Sequence, residues 1–377
     1  MKDSWIIGIL SVIILTFMLM MFVPHLEPAL KGHNDFAAFY AGAKLLDTGN
    51  LYDSVALRRQ EELAISTSSE QHGYIRLPFH AAFVWPLSRL PYMTAYTLWE
   101  IALILSTLAF VIFWRPPGGG MNVLLASMSF PILAGIANGQ DTLFLLLFLT
   151  GVVMQYRQGH KFLAGAILSL CAIKFHLFLL VPLLIGARRE WRFARGFLAG
   201  GGILAIVSFA AAGLNWPLEL ITSALNPQFS PSTAKMANLH GVMGNVPAGG
   251  ALEVAIAIAV AVAVWVICRR ASFEYGLAAI LIGGFTLSIH AYLPDLVVTL
   301  PAVLILIVRS QSKSVKIVVF ALALPPIHLL FFVGFPITIT ILAVSLATIA
   351  LMTREALRDP VEADPIVATP ATADSPA

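Results

Sequence analysis

Long apolar runs recur from one end of this chain to the other, and they leave almost no room for a soluble fold. The first run, Trp5–Val23, is about as long as an α-helix must be to cross the hydrocarbon core of a bilayer. Hydrophobic residues make up 59% of the 377 residues and charged residues only 11%, less than half the share usual in soluble domains. The sequence therefore predicts an all-α protein that crosses a membrane many times.

Breaks between the apolar runs place the membrane segments. The continuous runs are Trp5–Val23, Tyr92–Trp114, Gly196–Leu214, Ala248–Cys268, Glu274–His290, Leu293–Arg309, Val315–Phe332 and Phe335–Met352. Two shorter runs, Met121–Ala137 and Asp141–Tyr156, are joined by the polar turn Asn138-Gly139-Gln140. The stretch Phe162–Arg188 is ambiguous, because it fits either one long span or two half-spans that meet at Lys174.

Clusters of Arg and Lys between the runs decide this ambiguity, because such clusters favour the cytoplasmic side of a membrane. If Phe162–Arg188 crosses once, the clusters at 157–161 and 188–195 fall on opposite sides, and the later clusters conflict with the earlier ones. If the stretch enters and returns, every cluster and both termini are cytoplasmic. We therefore predict about twelve membrane segments, with Lys174 and His176 at an outward-facing tip between two half-helices.

This topology gathers the uncommon polar residues on the outer face. The first external loop spans 24–91 and the second spans 215–247. Apolar residues at helical spacing in Asp35–Leu46 and Leu51–Ile65 predict short amphipathic helices in the first loop. We therefore expect this loop to be structured, with its helices lying on the membrane or on the bundle.

The remaining features fit one membrane domain. Residues 1–353 are predicted to form a single transmembrane domain, and the tail 354–377, rich in Pro, Ala, Asp and Thr, is expected to be disordered in the cytoplasm. The two cysteines, Cys171 and Cys268, lie inside apolar runs and imply no disulfide framework. No small-residue cleavage site follows the first run, which favours an uncleaved first helix.

Asp35 is the first candidate for chemistry. It stands at the beginning of a predicted helix, where Asp often serves only as an N-cap. A carboxylate at the wall of an external cavity also suits a general base that takes a proton from a hydroxyl group. The two roles are compatible, and we predict that Asp35 is catalytic.

Lys174 is the second candidate, because a Lys inside an apolar stretch is costly in lipid and often marks a substrate path. At the tip of a half-helix its ammonium would suit a lipid phosphate, with His176 assisting. The alternatives are a Lys that snorkels to the interface and a His that is merely packed.

Two further polar groups stand at external turns. His290 and Asp295 lie between two apolar runs, where Asp295 can cap the next helix and His290 can act near the acceptor hydroxyl or the phosphate. Asn138 and Gln140 either satisfy a tight turn or bind phosphate or sugar. We predict His290 as catalytic and Gln140 as a phosphate ligand beside Lys174 and His176.

Several sites are missing from the sequence. It has no P-loop, no Rossmann glycine pattern, no HExxH and no Cys/His metal cluster. An enzyme of this form would therefore need an activated donor already in the membrane, such as a polyprenyl-phosphate sugar. We predict no cofactor and no nucleic-acid partner, and we leave a need for a divalent metal open.

Short stretches along the chain resemble the GT-C membrane glycosyltransferases, specifically glycosyltransferase family 87. They run in the family's order from about residue 5 to about residue 310. The stretches are Asn34-Asp35-Phe36 to Tyr40-Ala41-Gly42, Leu51-Tyr52-Asp53, Pro86-Leu87 with Leu90-Pro91, Trp99, Asn138-Gly139-Gln140, Ile173-Lys174 ahead of Leu177, Asn238 to Gly241, and His290 to Asp295.

The resemblance implies a GT-C bundle that performs an inverting transfer at the extracytoplasmic face of a bacterial inner membrane. Its relatives are similar to mannosyltransferases that use polyprenyl-phosphate mannose, so a lipid or glycan acceptor is expected. Asp35 occupies the position of the family's acceptor-side Asp. The predicted substrate-binding residues are Asn34, Tyr40, Asn138, Asn238 and Asp295.

The chain departs from the family at two places. Lys174-Phe175 stands where the family often has Lys-Pro, and Arg76-Leu77-Pro78-Phe79 stands where it often has Tyr-Pro-Pro. Two alternatives to an enzyme remain open. One is a transporter or lipid flippase with Lys174 on the translocation path, and the other is an inactive scaffold.

Overall fold

The computed structural model describes residues 4–23, 26–65, 73–114, 120–225 and 232–358. Among these residues the regular structure consists of α-helices and short 3₁₀ helices, and no β-strand occurs in these ranges. Helices satisfy their own backbone hydrogen bonds, which an apolar chain in lipid requires. The prediction of an all-α protein is therefore confirmed for the described part of the chain.

The first half of the chain forms helices α1 to α9. They are α1 (Ser4–Phe22), α2 (Leu26–Leu30), α3 (Phe36–Leu45), α4 (Ser54–Ala64), α5 (Pro78–Ser88), α6 (Tyr92–Phe113), α7 (Met121–Met128), α8 (Phe130–Ala137) and α9 (Thr142–Arg157). Both helices predicted in the first loop are observed, as α3 and α4. Helix α3 is buried along almost its whole length, whereas α4 buries only Leu57 and Glu61.

The second half forms helices α10 to α20. They are α10 (Lys161–Ser169), α11 (Val181–Arg188), α12 (Trp191–Ala212), α13 (Trp216–Ala224), α14 (Leu239–Met243), α15 (Gly249–Arg270), α16 (Phe273–Leu287), α17 (Thr299–Arg309), α18 (Lys313–Ala321), α19 (Pro325–Val333) and α20 (Ile339–Arg358). Short 3₁₀ helices connect some of them, at Leu46–Thr48, Leu170–Phe178, Thr233–Lys235 and Leu293–Val298.

Five helical segments in the described residues are long and apolar enough to cross a membrane. They are Tyr92–Phe113, Lys161–Phe178, Trp191–Ala212, Gly249–Arg270 and Ile339–Arg358. The pair α18 and α19, bent by 46°, would make a sixth. Helix α1 has 19 residues, and the remaining predicted segments are shorter or broken helices. The count of about twelve therefore stays a prediction.

The stretch that carries Lys174 enters the bundle and returns. Its backbone leaves helical geometry at Lys174, with φ −126° and ψ 53°. At its open end, Nζ of Lys161 lies 3.0 Å from Oε2 of Glu190. One continuous helix would separate these two residues by about 40 Å. The predicted path, in and back, is therefore the one observed.

Small residues fix this hairpin against helix α12. A Cβ atom added to Gly196 would lie 1.8 Å from the carbonyl oxygen of Phe162, and one added to Gly165 would lie 2.1 Å from that of Phe193. The backbones of α10 and α12 thus touch, which only glycine permits at these two positions. Close contacts of this kind replace the hydrophobic effect as the force that packs helices in lipid.

Basic residues gather at one end of the bundle. Arg157 at the end of α9 and Arg309 at the end of α17 both bind the carboxylate of Glu274, at 2.6 and 3.1 Å. The end of the hairpin where its two arms begin and finish lies here too, because Lys161, its first residue, follows the end of α9 by four residues. The N-terminus of α9 is about 24 Å away at the opposite end. Arg115, which the topology prediction also used, lies outside the described residues.

The last helix extends further than the sequence prediction. Helix α20 continues to Arg358, so residues 354–358, assigned to the disordered tail, are helical. The glutamate in this last turn, Glu355, accepts a hydrogen bond from Oη of Tyr275 at 2.7 Å. The rest of the predicted tail, 359–377, lies outside the described residues.

Candidate active site

Asp35 occupies the N-cap position of α3, but its side chain makes no capping hydrogen bond. Its carboxylate instead accepts a hydrogen bond from Nε2 of Gln140. Its backbone N–H donates to the carbonyl oxygen of Asn138 at 3.2 Å, and its side chain is partly exposed. Capping therefore does not account for this Asp, and two predicted site residues from distant parts of the chain are in direct contact.

The Asn138-Gly139-Gln140 turn holds Gln140 in this position. Gly139 has φ +59°, a left-handed conformation that favours glycine. A Cβ atom there would also lie 3.0 Å from both Oδ1 of Asn34 and Cβ of Phe36. Nε1 of Trp99 donates to the carbonyl oxygen of Gly139 at 2.9 Å. The turn is thereby locked between α3 and α6, while the side chain of Asn138 remains exposed.

Lys174 points into the protein and is only 2% exposed. Its Nζ lies 3.0 Å from Oδ1 of Asp295, 2.9 Å from Oε1 of Gln140 and 3.4 Å from Oδ1 of Asp141. A snorkelling Lys would reach towards the interface, so that alternative does not describe this side chain. A phosphate bound here would have to compete with two carboxylates for the ammonium.

Asp141 is fully buried, and three basic side chains contact its carboxylate. Arg76 binds it through two nitrogens, with Nε 2.8 Å from Oδ2 and Nη2 3.3 Å from Oδ1. Nε2 of His80 lies 3.3 Å from Oδ2, and Lys174 approaches from the other side. Sequence reasoning did not select Arg76, His80 or Asp141 as site residues. The one available signal was Arg76, which stands where the chain departs from the family pattern.

The ionisation of this cluster follows from its surroundings. Burial lowers the pKa of His80, so its imidazole is neutral at neutral pH. Oη of Tyr74 lies 3.3 Å from Nδ1 of His80, which suits a tautomer that accepts from Tyr74 and turns its Nε2–H towards Asp141. Burial by itself would lower the pKa of Arg76, but attraction to Asp141 raises it above its ordinary value.

Asp295 is the third residue of the 3₁₀ helix Leu293–Val298 and stabilises the start of that helix, the structural role that the sequence allowed. Its Oδ2 accepts a hydrogen bond from the backbone N–H of Tyr292 at 3.0 Å. Its Oδ1 accepts from Oγ1 of Thr142 at 3.2 Å, as well as from Lys174. Asp295 therefore joins the hairpin, the start of α9 and the segment after α16.

His176, Asn238 and His290 meet around Ser288. Nδ1 of His176 lies 2.9 Å from Oγ of Ser288, and the amide of Asn238 donates to the carbonyl oxygen of the same serine. Oδ1 of Asn238 accepts from the N–H of Gly241 at 2.9 Å. The His290 ring meets the His176 ring edge to face at 5.7 Å and is partly exposed. Of these three predicted residues, His290 alone is partly exposed.

Asn34 and Tyr40 brace α3 against its neighbours. Nδ2 of Asn34 donates to Oη of Tyr96 and to the carbonyl oxygen of Ala137, each at 3.0 Å. Oη of Tyr40 donates to the carbonyl oxygen of Leu90 at 2.8 Å. Both side chains are buried, so their predicted contact with substrate stays a prediction.

A cavity of about 310 Å³ opens beside the turn and the segment after α16. Polar and apolar side chains line it together: His33, Asn138, Lys235, Tyr292, Leu293, Pro294, Phe331 and Phe332. Asn138 is the predicted site residue on its wall. In the described part of the chain, no group of three or more His, Cys, Asp or Glu side chains is arranged to hold a metal ion.

Comparison with known proteins adds one family. The family model described as glycosyltransferase family 87 matches residues 77–294, which is more than half of the chain. The matched range includes Gln140, Lys174 and His290, begins after Asp35 and Arg76, and ends one residue before Asp295. No curated protein and no solved structure matches the chain.

Proposed function

The chain belongs to glycosyltransferase family 87 and is a glycosyltransferase, and on that premise we propose that its donor is a polyprenyl-phosphate sugar, mannose or another hexose. The acceptor is a lipid or a glycan at the extracytoplasmic face of a bacterial inner membrane. Family membership favours an enzyme over the transporter or flippase that the sequence left open.

The proposed reaction is a single displacement. The acceptor hydroxyl oxygen attacks the anomeric carbon of the sugar, the bond from that carbon to the phosphate oxygen breaks, and polyprenyl phosphate leaves. Asp35 takes the proton of the hydroxyl. A single displacement inverts the anomeric configuration and needs one carboxylate as base. Retention would need a second carboxylate that forms a covalent intermediate with the sugar.

The observation that supports this role is the hydrogen bond from Gln140 to Asp35. A general base must be held within hydrogen-bond reach of its substrate. Asp35 is partly exposed, does not cap its helix, and is oriented by an amide on a locked turn. A carboxylate with only a structural role at this position would more commonly cap its helix by accepting backbone hydrogen bonds, as Asp53 does at the start of α4.

The other predicted residues divide into two groups. Asn138 and His290, which are exposed or partly exposed, are the groups that we propose contact the sugar or the phosphate. Lys174 and Asp295 are buried and paired with each other, and Lys174 holds Gln140 through a hydrogen bond to its amide oxygen. If Lys174 bound the phosphate directly, with His176 assisting, its ammonium would have to give up its contact with a carboxylate and contact the phosphate instead.

The distribution of charge supports the proposed location at the outer face. Arg157 and Arg309, paired with Glu274, lie at one end of the bundle, and the candidate site lies at the opposite end of α9. Positive charge favours the cytoplasmic side. A membrane-borne donor reaches such a site from the outer leaflet without a cytosolic nucleotide domain.

The test is sugar transfer by purified protein reconstituted with labelled polyprenyl-phosphate mannose and extracted membrane lipids. We expect Asp35→Asn to fold normally and to lose roughly 10²–10⁴-fold in rate. The matched control is Asp53→Asn in the same loop, where the carboxylate is an observed cap that Asn can replace. Wild-type turnover by Asp35→Asn would exclude Asp35 as the base, and no transfer by the wild type would reject the proposed donor.

A further inference from the structure

The two permanent cations in the buried cluster around Asp141 are already paired with carboxylates. Arg76 forms two hydrogen bonds to Asp141, and Lys174 contacts both Asp141 and Asp295. A leaving phosphate needs a cation that does not have to abandon a buried partner first, because breaking a buried ion pair is costly.

Lys235 is such a cation. It ends the 3₁₀ helix Thr233–Lys235 in the second predicted external loop, is exposed, and lines the cavity beside Asn138. It forms no ion pair with another residue that the structure describes. Its ammonium is therefore available to a ligand in this cavity.

The loop that carries Lys235 is tied to the cavity wall at two points. The carbonyl oxygen of Ala234 accepts a hydrogen bond from the N–H of Phe335 at 2.7 Å. The carbonyl oxygen of Ser232 accepts from Oη of Tyr292 at 3.0 Å. The position of Lys235 is thus set by the segments before α20 and after α16, and not by the loop alone.

The walls of the cavity are divided in polarity. Lys235, His33 and the exposed Asn138 supply polar groups, while Leu293, Phe331 and Phe332 supply apolar surface. Its volume of about 310 Å³ is at the small end for ligand pockets. Such a cavity suits a ligand with an anionic head and an apolar stem, of which only the first part is enclosed.

We propose that this cavity binds the phosphate and the first isoprenoid unit of the polyprenyl phosphate, and that Lys235 is the cation of the phosphate. The proposal rests on the proposed function and assigns to Lys235 a binding role that Lys174 was predicted to have. Beyond the cavity, the remaining isoprenoid chain continues into lipid. The acceptor hydroxyl approaches from the side of Asp35.

The experiment measures binding of farnesyl phosphate, a short polyprenyl phosphate without sugar, to purified full-length protein by calorimetry. Lys235→Met keeps the apolar stem and removes the charge, and we expect affinity to fall roughly tenfold or more. Lys235→Arg should keep most of the affinity. The matched control is Lys313→Met, an exposed Lys in the first turn of α18.

Two further ligands distinguish binding through the phosphate from binding through the apolar stem. Farnesol lacks the phosphate, so its binding should not change in Lys235→Met, and inorganic phosphate lacks the stem, so it should bind far more weakly than farnesyl phosphate. Wild-type affinity of Lys235→Met for farnesyl phosphate would overturn the proposal, as would equal affinity for inorganic phosphate. Because no sugar is transferred, this result is independent of whether the proposed reaction occurs.

Discussion

The ammonium of Lys174 donates a hydrogen bond to Oε1 of Gln140, 2.9 Å away, and this contact determines which end of the amide faces Asp35. An ammonium has no acceptor, so it must meet the amide oxygen, and the NH₂ group then points to the carboxylate. The tip of the hairpin thus orients the proposed base through one intervening side chain.

Replacement of Gln140 should test this relationship. In Gln140→Leu, Asp35 loses a donor and Lys174 loses an acceptor, so we expect kcat to fall roughly tenfold or more. The apparent KM for the donor should change little if the amide positions the base and does not bind phosphate. Gln158→Leu, an exposed residue after α9, is the control. A raised KM with unchanged kcat would instead favour the predicted phosphate contact.

The buried pair of Lys174 and Asp295 should show strong coupling in stability. Lys174→Met leaves two carboxylates with one cation fewer, and we expect a loss of roughly 3–5 kcal/mol, visible as a lower Tm in detergent. The double variant with Asp295→Asn should recover part of this loss, because the uncompensated charge is removed. If Lys174 serves mainly to bind a donor phosphate, Lys174→Met would keep a Tm near that of the wild type and lose donor affinity instead.

Helix α12 offers a matched pair of glycines. Gly196→Ala would place a Cβ atom 1.8 Å from the carbonyl oxygen of Phe162, so we expect α10 to be displaced and the yield of folded protein to fall sharply. Gly201→Ala meets no atom within 4 Å and should be neutral or slightly stabilising, because Ala favours helix more than Gly does. Size-exclusion profiles of the two variants provide the measurement. Similar profiles would contradict the close backbone contact.

Thiol labelling should test the two sides of the membrane. The native cysteines are buried, and Val55 on α4 is 77% exposed. In intact cells, an impermeant thiol reagent should label Val55→Cys and should label Lys313→Cys only after permeabilisation. Labelling of both positions in intact cells would contradict the assignment of the basic end to the cytoplasm.

Several features could be predicted because they depend on local composition. Each residue of an apolar run contributes its own free energy of transfer into lipid. The length of the run therefore indicates a membrane helix, and the flanking charges indicate where the helix ends. The return at Lys174 was predicted from a conflict between charge clusters, and the contact of Lys161 with Glu190 confirms it. Asp35 and Gln140 were both selected, although nothing in the sequence indicated that they touch.

What the sequence by itself determined was the all-helical membrane class, the broken hairpin and the helices of the first loop. The tertiary structure alone decided which charges are paired. Lys174 meets Asp295 across 121 residues, and Arg76 meets Asp141 across 65. Apolar patterning acts through the surrounding lipid and is local, whereas a buried ion pair exists only where packing brings two distant side chains within about 4 Å. For this reason the sequence indicated Lys174 as a phosphate ligand, and the fold surrounded it with carboxylates.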